Sequence, residues 1–180
     1  MALALAATPQ ASYAFSGLIT LTSGQAFDAA SPTATKPSTT SQSALLYDVG
    51  TNYPNLIKIL PSTSANNFTS VGMRVVGWSQ YYATSGSNPW LPTVLADVTL
   101  GYTSGTVPSL TIDGVSNFFF SSATVATGVP TVNIYTPATA AGANVQPSSV
   151  IIDCVGSTLI QVQFKATGTT PKMGAFWYTI

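Results

Sequence analysis

The chain has 180 residues and a formal net charge of zero, with five basic residues, five Asp, no Glu, no His and one Cys. Charged residues make up 6% of the sequence, against about 25% in a typical soluble domain. Without His and with a single Cys, the chain cannot build a structural zinc site, a Ser-His-Asp triad or an intrachain disulfide. Five scattered cations at zero net charge also argue against nucleic-acid binding.

The first twelve residues, 1–12, are small and apolar, with Leu3 and Leu5 as their large aliphatic side chains. No stretch of the chain has the 18 or more consecutive apolar residues of a membrane-spanning helix, and the segment lacks the basic start of a secretory signal. We predict an N-terminal arm that packs against a partner, and no membrane association. A single β-sandwich domain is predicted to follow over residues 13–180.

Short runs of Val, Ile, Thr, Tyr and Phe, separated by Gly, Pro, Asn and Ser, predict strands, and no segment has a capped helical stripe. The fold expected from this pattern is all-β, a two-sheet antiparallel β-sandwich, with a jelly roll as the favoured version. The predicted strands are Phe15–Thr22, Ala44–Val49, Leu56–Leu60, Val71–Tyr82, Thr93–Tyr102, Ser109–Ile112, Val115–Val125, Pro130–Tyr135, Ser149–Val155, Thr158–Ala166 and Ala175–Ile180.

Two segments between the predicted strands are long loops. Residues 23–43 are rich in Ser, Thr, Ala and Pro, and residues 136–148 are similar. Long structureless loops in compact domains are usually functional or disordered. The segment 23–43 is therefore expected to be a long loop of the sandwich domain.

Asp113-Gly114 stands between two apolar runs and predicts a two-residue hairpin turn, because Asp-Gly adopts positive φ at little cost. The run Val71–Trp78 reads as a central strand. Its glycines, Gly72 and Gly77, are expected to mark bulges or close backbone approach.

The clearest local signal is the pair of runs near the C-terminus. Ile160, Val162 and Phe164 alternate with polar residues, which is typical of a half-buried strand. If the preceding run forms a hairpin with it, a two-residue turn sets Asp153 opposite Ile160, whereas a three-residue loop sets Ile152 there. These registers are mutually exclusive. We favour the longer loop, which buries Val150, Ile152 and Cys154 on the same face as Ile160, Val162 and Phe164, with Cys154 as a small core residue.

The five Asp residues do not form an evident catalytic or metal-binding pattern. A glycosidase needs two carboxylates about 5–9.5 Å apart, a general base of the His type is missing, and no Asp-x-Asp pair suggests calcium. Asp113 is expected to be a turn residue, and the others are better interpreted as solvated or at strand edges. We predict that the protein is not an enzyme and has no metal or cofactor.

An aromatic group has two open interpretations. Trp78, Tyr81, Tyr82, Trp90 and Tyr102 could form a platform for sugars, or they could be core residues and protein–protein contacts, where Tyr and Trp are enriched. We favour the second interpretation. Tyr81, Tyr82 and Trp90, on either side of a predicted hairpin loop, are the candidate partner contacts, together with Leu3 and Leu5 of the arm.

A surface this poor in charge does little to keep copies apart, and it suits a protein that is held in an assembly. The runs Val75–Gln80 and Trp90–Leu100, and the ending Leu159–Phe164 followed by Met173–Tyr178, resemble jelly-roll virion proteins of tailed bacteriophages. The closest type is a capsid decoration or cement protein. The likeness covers roughly residues 44–180 and consists of strand order and composition.

The resemblance implies a β-sandwich that binds the major capsid protein on the surface of a virion, often as a homotrimer, with no catalytic residues. An alternative is a carbohydrate- or receptor-binding sandwich of a virion appendage, and another is a major capsid or tail subunit. The arm and the near-neutral surface independently favour a homo-oligomer.

Overall fold

The structure is a computed structural model of the chain. It describes residues 13–40, 43–48, 56–63, 70–82, 88–101, 109–112, 115–118, 122–126, 133–135, 149–154, 156–166 and 172–179. Within these ranges every regular element is a strand and no helix occurs, as the sequence predicts.

The longest strands are β5 and β6, and the shortest are β1, β2 and β7 to β10. In chain order they are β1 (Tyr13–Phe15), β2 (Ile19–Thr20), β3 (Ser43–Asp48), β4 (Leu56–Thr63), β5 (Ser70–Gln80), β6 (Trp90–Gly101), β7 (Ser109–Ile112), β8 (Val115–Phe118), β9 (Ser122–Val125), β10 (Asn133–Tyr135), β11 (Ser149–Asp153), β12 (Leu159–Ala166) and β13 (Lys172–Thr179).

The strands form two antiparallel sheets. Sheet A has the order β1-β13-β4-β11-β10, with β2 beside β13 and the β7–β8 hairpin joined to β4. Sheet B has the order β3-β12-β5-β6-β9. The protein is therefore an all-β, two-sheet antiparallel sandwich.

The connectivity is that of a jelly roll. Four strand pairs are nested along the chain: β1 pairs with β13, β3 with β12, β4 with β11 and β5 with β6. The outermost and third pairs lie in sheet A, and the second and innermost pairs lie in sheet B. One long folded-over hairpin of eight strands, divided between two sheets, is the jelly-roll arrangement.

Among the residues whose burial is described, the core between the sheets is mainly aliphatic and includes the rings of Phe164 and Trp177. It takes side chains from both sheets, because in each strand alternate residues face inward. From sheet A it contains Ile57, Ile59, Val150, Ile152, Met173, Ala175 and Trp177, and from sheet B Val71, Met73, Val75, Leu95, Ala96, Val98, Leu100, Ile160, Val162 and Phe164. Leu21 and Cys154 complete it.

The predicted C-terminal hairpin is wrong, although its buried face is right. Strand β11 pairs with β4 and β10 in sheet A, whereas β12 pairs with β3 and β5 in sheet B, so neither predicted register exists. The two strands lie in opposite sheets and contribute side chains to the same core. A turn in which Ser157 N donates to Cys154 O (2.8 Å) lies on the connection between the sheets.

The burial pattern that motivated that hairpin is nevertheless confirmed. The six predicted residues, Val150, Ile152, Cys154, Ile160, Val162 and Phe164, are all buried in one cluster, and Asp153 is exposed. Residue alternation reports which side chains meet the core, and it does so equally for strands that pair and for strands that pack across a sandwich.

Other strand predictions have mixed outcomes. Ile112 pairs with Val115, which confirms the two-residue hairpin, although Asp113 and Gly114 lie outside the described residues. The single predicted strand Val115–Val125 is wrong, because β8 joins sheet A and β9 joins sheet B. Strand β5 is central, as predicted, and its register with β6 shifts between Val75 and Val76.

Candidate functional site

The outer side of sheet B, turned away from the core, is unusually rich in buried residues. Register pairs place Leu159 beside Trp78 and Gln161 beside Val76, alternating with the core-facing residues. Val76, Trp78 and Leu159 form a second buried apolar cluster, against which Trp90 packs half-buried. Gln161 and Gln163 are also buried. A sheet face of this kind needs a cover.

The cover is residues 23–40, which connect β2 to β3 and which we call the strap. The strap forms no strand of its own, but Thr33 makes an isolated bridge with Trp90: Thr33 N donates to Trp90 O (3.1 Å) and Trp90 N to Thr33 O (2.7 Å). Near its end, the carbonyl of Ser38 accepts from Gln161 Nε2 (3.0 Å). These contacts span from β6 to β12 across the outer side of sheet B.

Gln161 is the polar centre of this interface. Its Oε1 accepts from Trp78 Nε1 (3.1 Å) and from Gln163 Nε2 (3.2 Å). Its Nε2 donates to the Ser38 carbonyl and to Ser43 Oγ (3.2 Å). All four hydrogen-bonding positions of this buried amide are therefore used.

The network continues outward to a carboxylate on the strap. Ser43 Oγ lies 2.8 Å from Thr40 Oγ1, which donates to Asp28 Oδ2 (2.7 Å). A carboxylate can only accept hydrogen bonds, so Thr40 must donate to Asp28. Each group therefore donates to the next: Gln161 to Ser43, Ser43 to Thr40 and Thr40 to Asp28. The chain of bonds ties the strap to both β3 and β12.

Towards the opposite ends of β5 and β12, the ring of Phe27, a strap residue, contacts two cationic side chains of sheet B. The guanidinium carbon of Arg74 lies 4.4 Å from the centre of the Phe27 ring, and Lys165 Nζ lies 4.5 Å from it. Both distances are in the range of cation–π attraction. Arg74 also donates from Nε (3.0 Å) and Nη2 (2.6 Å) to Asp97 Oδ2.

Gly72 makes room for this arrangement. A β-carbon at that position would stand 2.7 Å from Lys165 Cγ and Cε and 3.1 Å from Phe27 Cζ. The sequence predicted a bulge or a close backbone approach at this glycine. The register shift lies at Val75 and Val76 instead, and the atoms that approach Gly72 belong to side chains of β12 and of the strap.

Among the residues whose exposure is described, the aromatic side chains most open to solvent lie at the tip of the β5–β6 hairpin. Tyr81 is 60% and Tyr82 76% exposed, and Leu91 is 39% exposed. Tyr81 N donates to Pro89 O (2.9 Å), which extends the pairing beyond the two strands. We call residues 81–82 and 88–91 the hairpin tip. Between Arg74 and Asp97 the sequence carries no charged residue, so the tip is aromatic and uncharged.

The structure separates the aromatic residues that the sequence grouped together. Trp78 is buried with its Nε1 bonded, Trp90 is half-buried at the base of the tip, and Tyr81 and Tyr82 are exposed. Tyr102 lies outside the described residues, as do Leu3 and Leu5. The sequence interpretation missed Phe27, because a single ring in a Ser/Thr-rich loop gives no periodic signal.

Burial keeps the chain's one thiol in its protonated form. Cys154 is buried, and desolvation, with a smaller contribution from Asp153, raises the pKa of its thiol to about 11. This fits the predicted inert core residue. Among the residues that the structure describes, no group of three or more His, Cys, Asp or Glu is placed to hold a metal ion.

Comparison of the chain with protein-family models, with curated proteins and with solved structures gives no match. In the part of the chain that the structure describes, no helix has the length and apolar character needed to cross a membrane.

Proposed function

We propose that this chain is a non-enzymatic structural protein of a bacteriophage virion, of the decoration or cement type, which binds the outside of the capsid shell through its hairpin tip. The observation that carries the proposal is the adjacent pair Tyr81 and Tyr82, exposed by 60% and 76%. Tyr is enriched at protein–protein contacts, since its ring supplies apolar area and its hydroxyl tolerates water.

The charge distribution favours a lasting contact whose formation does not rely on long-range electrostatic attraction. The tip has no ionised side chain, and the whole chain has zero net charge. Electrostatic steering of a partner is therefore weak, and binding should depend little on salt. A shell that presents many copies of one neutral surface is a suitable partner for such a tip.

The fold is compatible with the proposal. Jelly rolls occur in viral capsid proteins and in lectins, and one fold hosts many functions. The partner in this proposal is the major capsid protein, and the protein is a homotrimer on the virion. The arm, with Leu3 and Leu5, adds contacts to neighbouring copies.

The first experiment asks where the chain is found. Particles banded on a density gradient from the source culture are analysed by mass spectrometry. The proposal expects this chain in the particle band, at a copy number comparable to that of the main shell protein. Its absence from the particles would refute the proposal, and its presence on tails alone would favour the tail-subunit alternative.

The second experiment tests the tip. The double variant Tyr81→Ala/Tyr82→Ala should bind particles lacking the protein at least about tenfold more weakly, whereas Leu56→Ala should bind normally. Leu56 is the matched control because it is also exposed, at 38%, but lies in sheet A. Equal binding by the double variant and the wild type would remove the tip from the proposal.

The arm and the trimer have their own test. A chain lacking residues 2–10 should remain folded and bind particles more weakly, because ordering a free arm costs roughly 1–2 kcal/mol per residue and is recovered only on a shared surface. Light scattering that shows a stable monomer, with full particle binding by the truncated chain, would contradict both.

A glycan-binding function is the second candidate, and the exposed ring pair is the observation that favours it. Flat aromatic rings bind the apolar faces of sugars, and lectins include jelly rolls. Trp90→Ala is a poor test, because Trp90 packs on the outer cluster of sheet B and its loss would also affect folding. Tyr82→Ala is the cleaner variant, and glycan-array binding that this substitution abolishes would favour the second function.

A further inference from the structure

The strap is held to sheet B by few apolar contacts. Of residues 23–40, only Phe27 has a large apolar side chain, and the others are mainly Ser, Thr, Ala and Pro. Most of the strap's residues are exposed or half-buried. Its described attachments to the sheet are the Phe27 ring, the hydrogen bonds of Thr33 and Ser38, and the bonds of Thr40 to Ser43 at the end next to β3.

The closed strap also leaves two amide oxygens without partners. Gln25 Oε1, on the strap, and Gln163 Oε1, on the sheet beneath, are buried side-chain atoms with no hydrogen bond. A buried acceptor that has lost water and gained nothing opposes the closed arrangement. Lifting the strap would return both oxygens to water.

Beneath the strap lies a surface that does not belong to the main core. Val76, Trp78 and Leu159 form their own cluster on the outer side of sheet B. The two sheets are joined by the separate inner cluster, which includes Phe164 and Trp177. Removing the strap would therefore leave the packing between the sheets in place.

We propose that the strap is a releasable cover. Residues 23–40 detach from sheet B together while the sandwich stays folded. The backbone bends at Gly24 (φ 79°), shortly after β2, and the Phe27 ring is the contact that holds the strap closed. Opening exposes Trp78 and breaks the Thr33–Trp90 bridge, so it also loosens Trp90 at the base of the hairpin tip. The proposal concerns this chain's own conformations and does not depend on what the tip binds.

Two single-tryptophan reporters test the proposal. Trp78 remains alone in a W90F/W177F background and reports opening of the strap. Trp177 remains alone in a W78F/W90F background and reports exposure of the inner core. Phe27→Ala removes the anchoring ring, and Gly72→Ala places a β-carbon against Lys165 and Phe27, so that these side chains must move away from β5 although neither is removed. Ser31→Ala, at an exposed strap position, is the matched control.

The expected result is a rise of about threefold or more in acrylamide quenching of Trp78 with Phe27→Ala and Gly72→Ala, with Trp177 unchanged, as local opening requires. Ser31→Ala should change neither reporter. Equal shielding of Trp78 in all variants would overturn the proposal. A parallel rise at Trp78 and Trp177 would also overturn it, because the strap would then open only by global unfolding.

Hydrogen exchange on the wild-type chain keeps the proposal testable if the variants fold poorly. The amides of Thr33 and Trp90 should share one opening step and exchange about 100-fold or more faster than the amides of the central β12–β5 pairs. If they exchange as slowly as those central amides, the strap has no separate open state and the proposal is wrong.

Discussion

The inner and outer sides of sheet B are both buried, but by different means. The inner side presents Met73, Val75, Val162 and Phe164 to the opposite sheet, all fully buried and apolar. The outer side presents amides, cations and one small apolar cluster to a strap of mostly small polar residues.

The difference separates two sources of stability within one sheet. Removing apolar surface from water stabilises the inner side without directional requirements. The outer side relies on a few directed contacts, each of modest net value because both partners can bond to water when unfolded. Inner substitutions should therefore affect folding strongly, whereas outer ones should depend on individual bonds.

The largest effect is expected at Phe164, in the inner core. Phe164→Ala should lower the free energy of unfolding by about 3–5 kcal/mol, through lost burial and the cavity left behind. Urea unfolding monitored by circular dichroism measures it, and Phe164→Leu, which keeps most of the volume, should cost distinctly less. A loss below about 1 kcal/mol for Phe164→Ala would mean that the inner side is not the stronger one.

The pH dependence of the free energy of unfolding in alkaline solution should show whether water reaches Cys154 in the inner core. Its folded pKa is raised from 9.0 to about 11, so above pH 9 the unfolded thiol loses its proton while the folded one keeps it. This contribution is fully present below pH 9 and is lost as the pH rises towards 11. It amounts to about 2–3 kcal/mol, at about 1.4 kcal/mol per pKa unit.

The comparison of wild type with Cys154→Ala isolates that thiol. The difference in unfolding free energy between the two proteins should change between pH 9 and pH 11, in the direction that penalises the wild type, and be constant from pH 6 to 8. A constant difference across the whole range would show that water reaches the thiol.

On the outer side, two neighbouring glutamines should respond differently. Gln161→Met leaves Trp78 Nε1 and Gln163 Nε2 without their acceptor and should cost about 1–3 kcal/mol. Gln163→Met removes an oxygen that already lacks a partner and one of the two donors to Gln161 Oε1, whose other donor, Trp78 Nε1, remains; it should therefore cost less than Gln161→Met, about 1 kcal/mol or below. Equal costs in chemical denaturation would contradict the assignment of Gln161 as the centre of the network.

The smallest effect is expected for the ion pair beside Phe27. Arg74 and Asp97 are partly exposed, at 27% and 19%, and such pairs contribute about 0–1 kcal/mol. Asp97→Asn should destabilise the protein within that range, and the effect should shrink as NaCl is raised, because salt screens the pair. An effect that persists undiminished in 1 M NaCl would indicate that Asp97 acts through packing.

Much of the fold could be predicted from the sequence, because strand character and inward-facing positions are local properties. The alternation Ile160, Val162, Phe164 identified core residues correctly. It could not identify the neighbours of β12, since strands that pair and strands that pack across the core alternate alike. It also predicted a half-buried strand, whereas Gln161 and Gln163 are buried too, and Gln161 bonds to Ser38 of the strap, a segment far away in the sequence.

The candidate site was only partly predictable for the same reason. Exposure of Tyr81 and Tyr82 follows from their place at a hairpin tip, which turn residues reveal. The roles of Phe27 and Gln161 depend on contacts between segments far apart in the chain. A pattern within either segment does not contain that information.

The nested pairing of the jelly roll also sets the order in which the chain can fold. Of the four nested pairs, only the innermost, β5 with β6, joins strands that follow each other in the chain. Each of the other three pairs encloses the one before it. Tyr13 meets Tyr178 across about 160 residues of chain, and such distant contacts make folding slow. During synthesis on the ribosome, β1 and the strap are made before β13 and β12, the strands that they contact. Until those strands are made, the growing chain exposes unpaired strand edges, which favour aggregation.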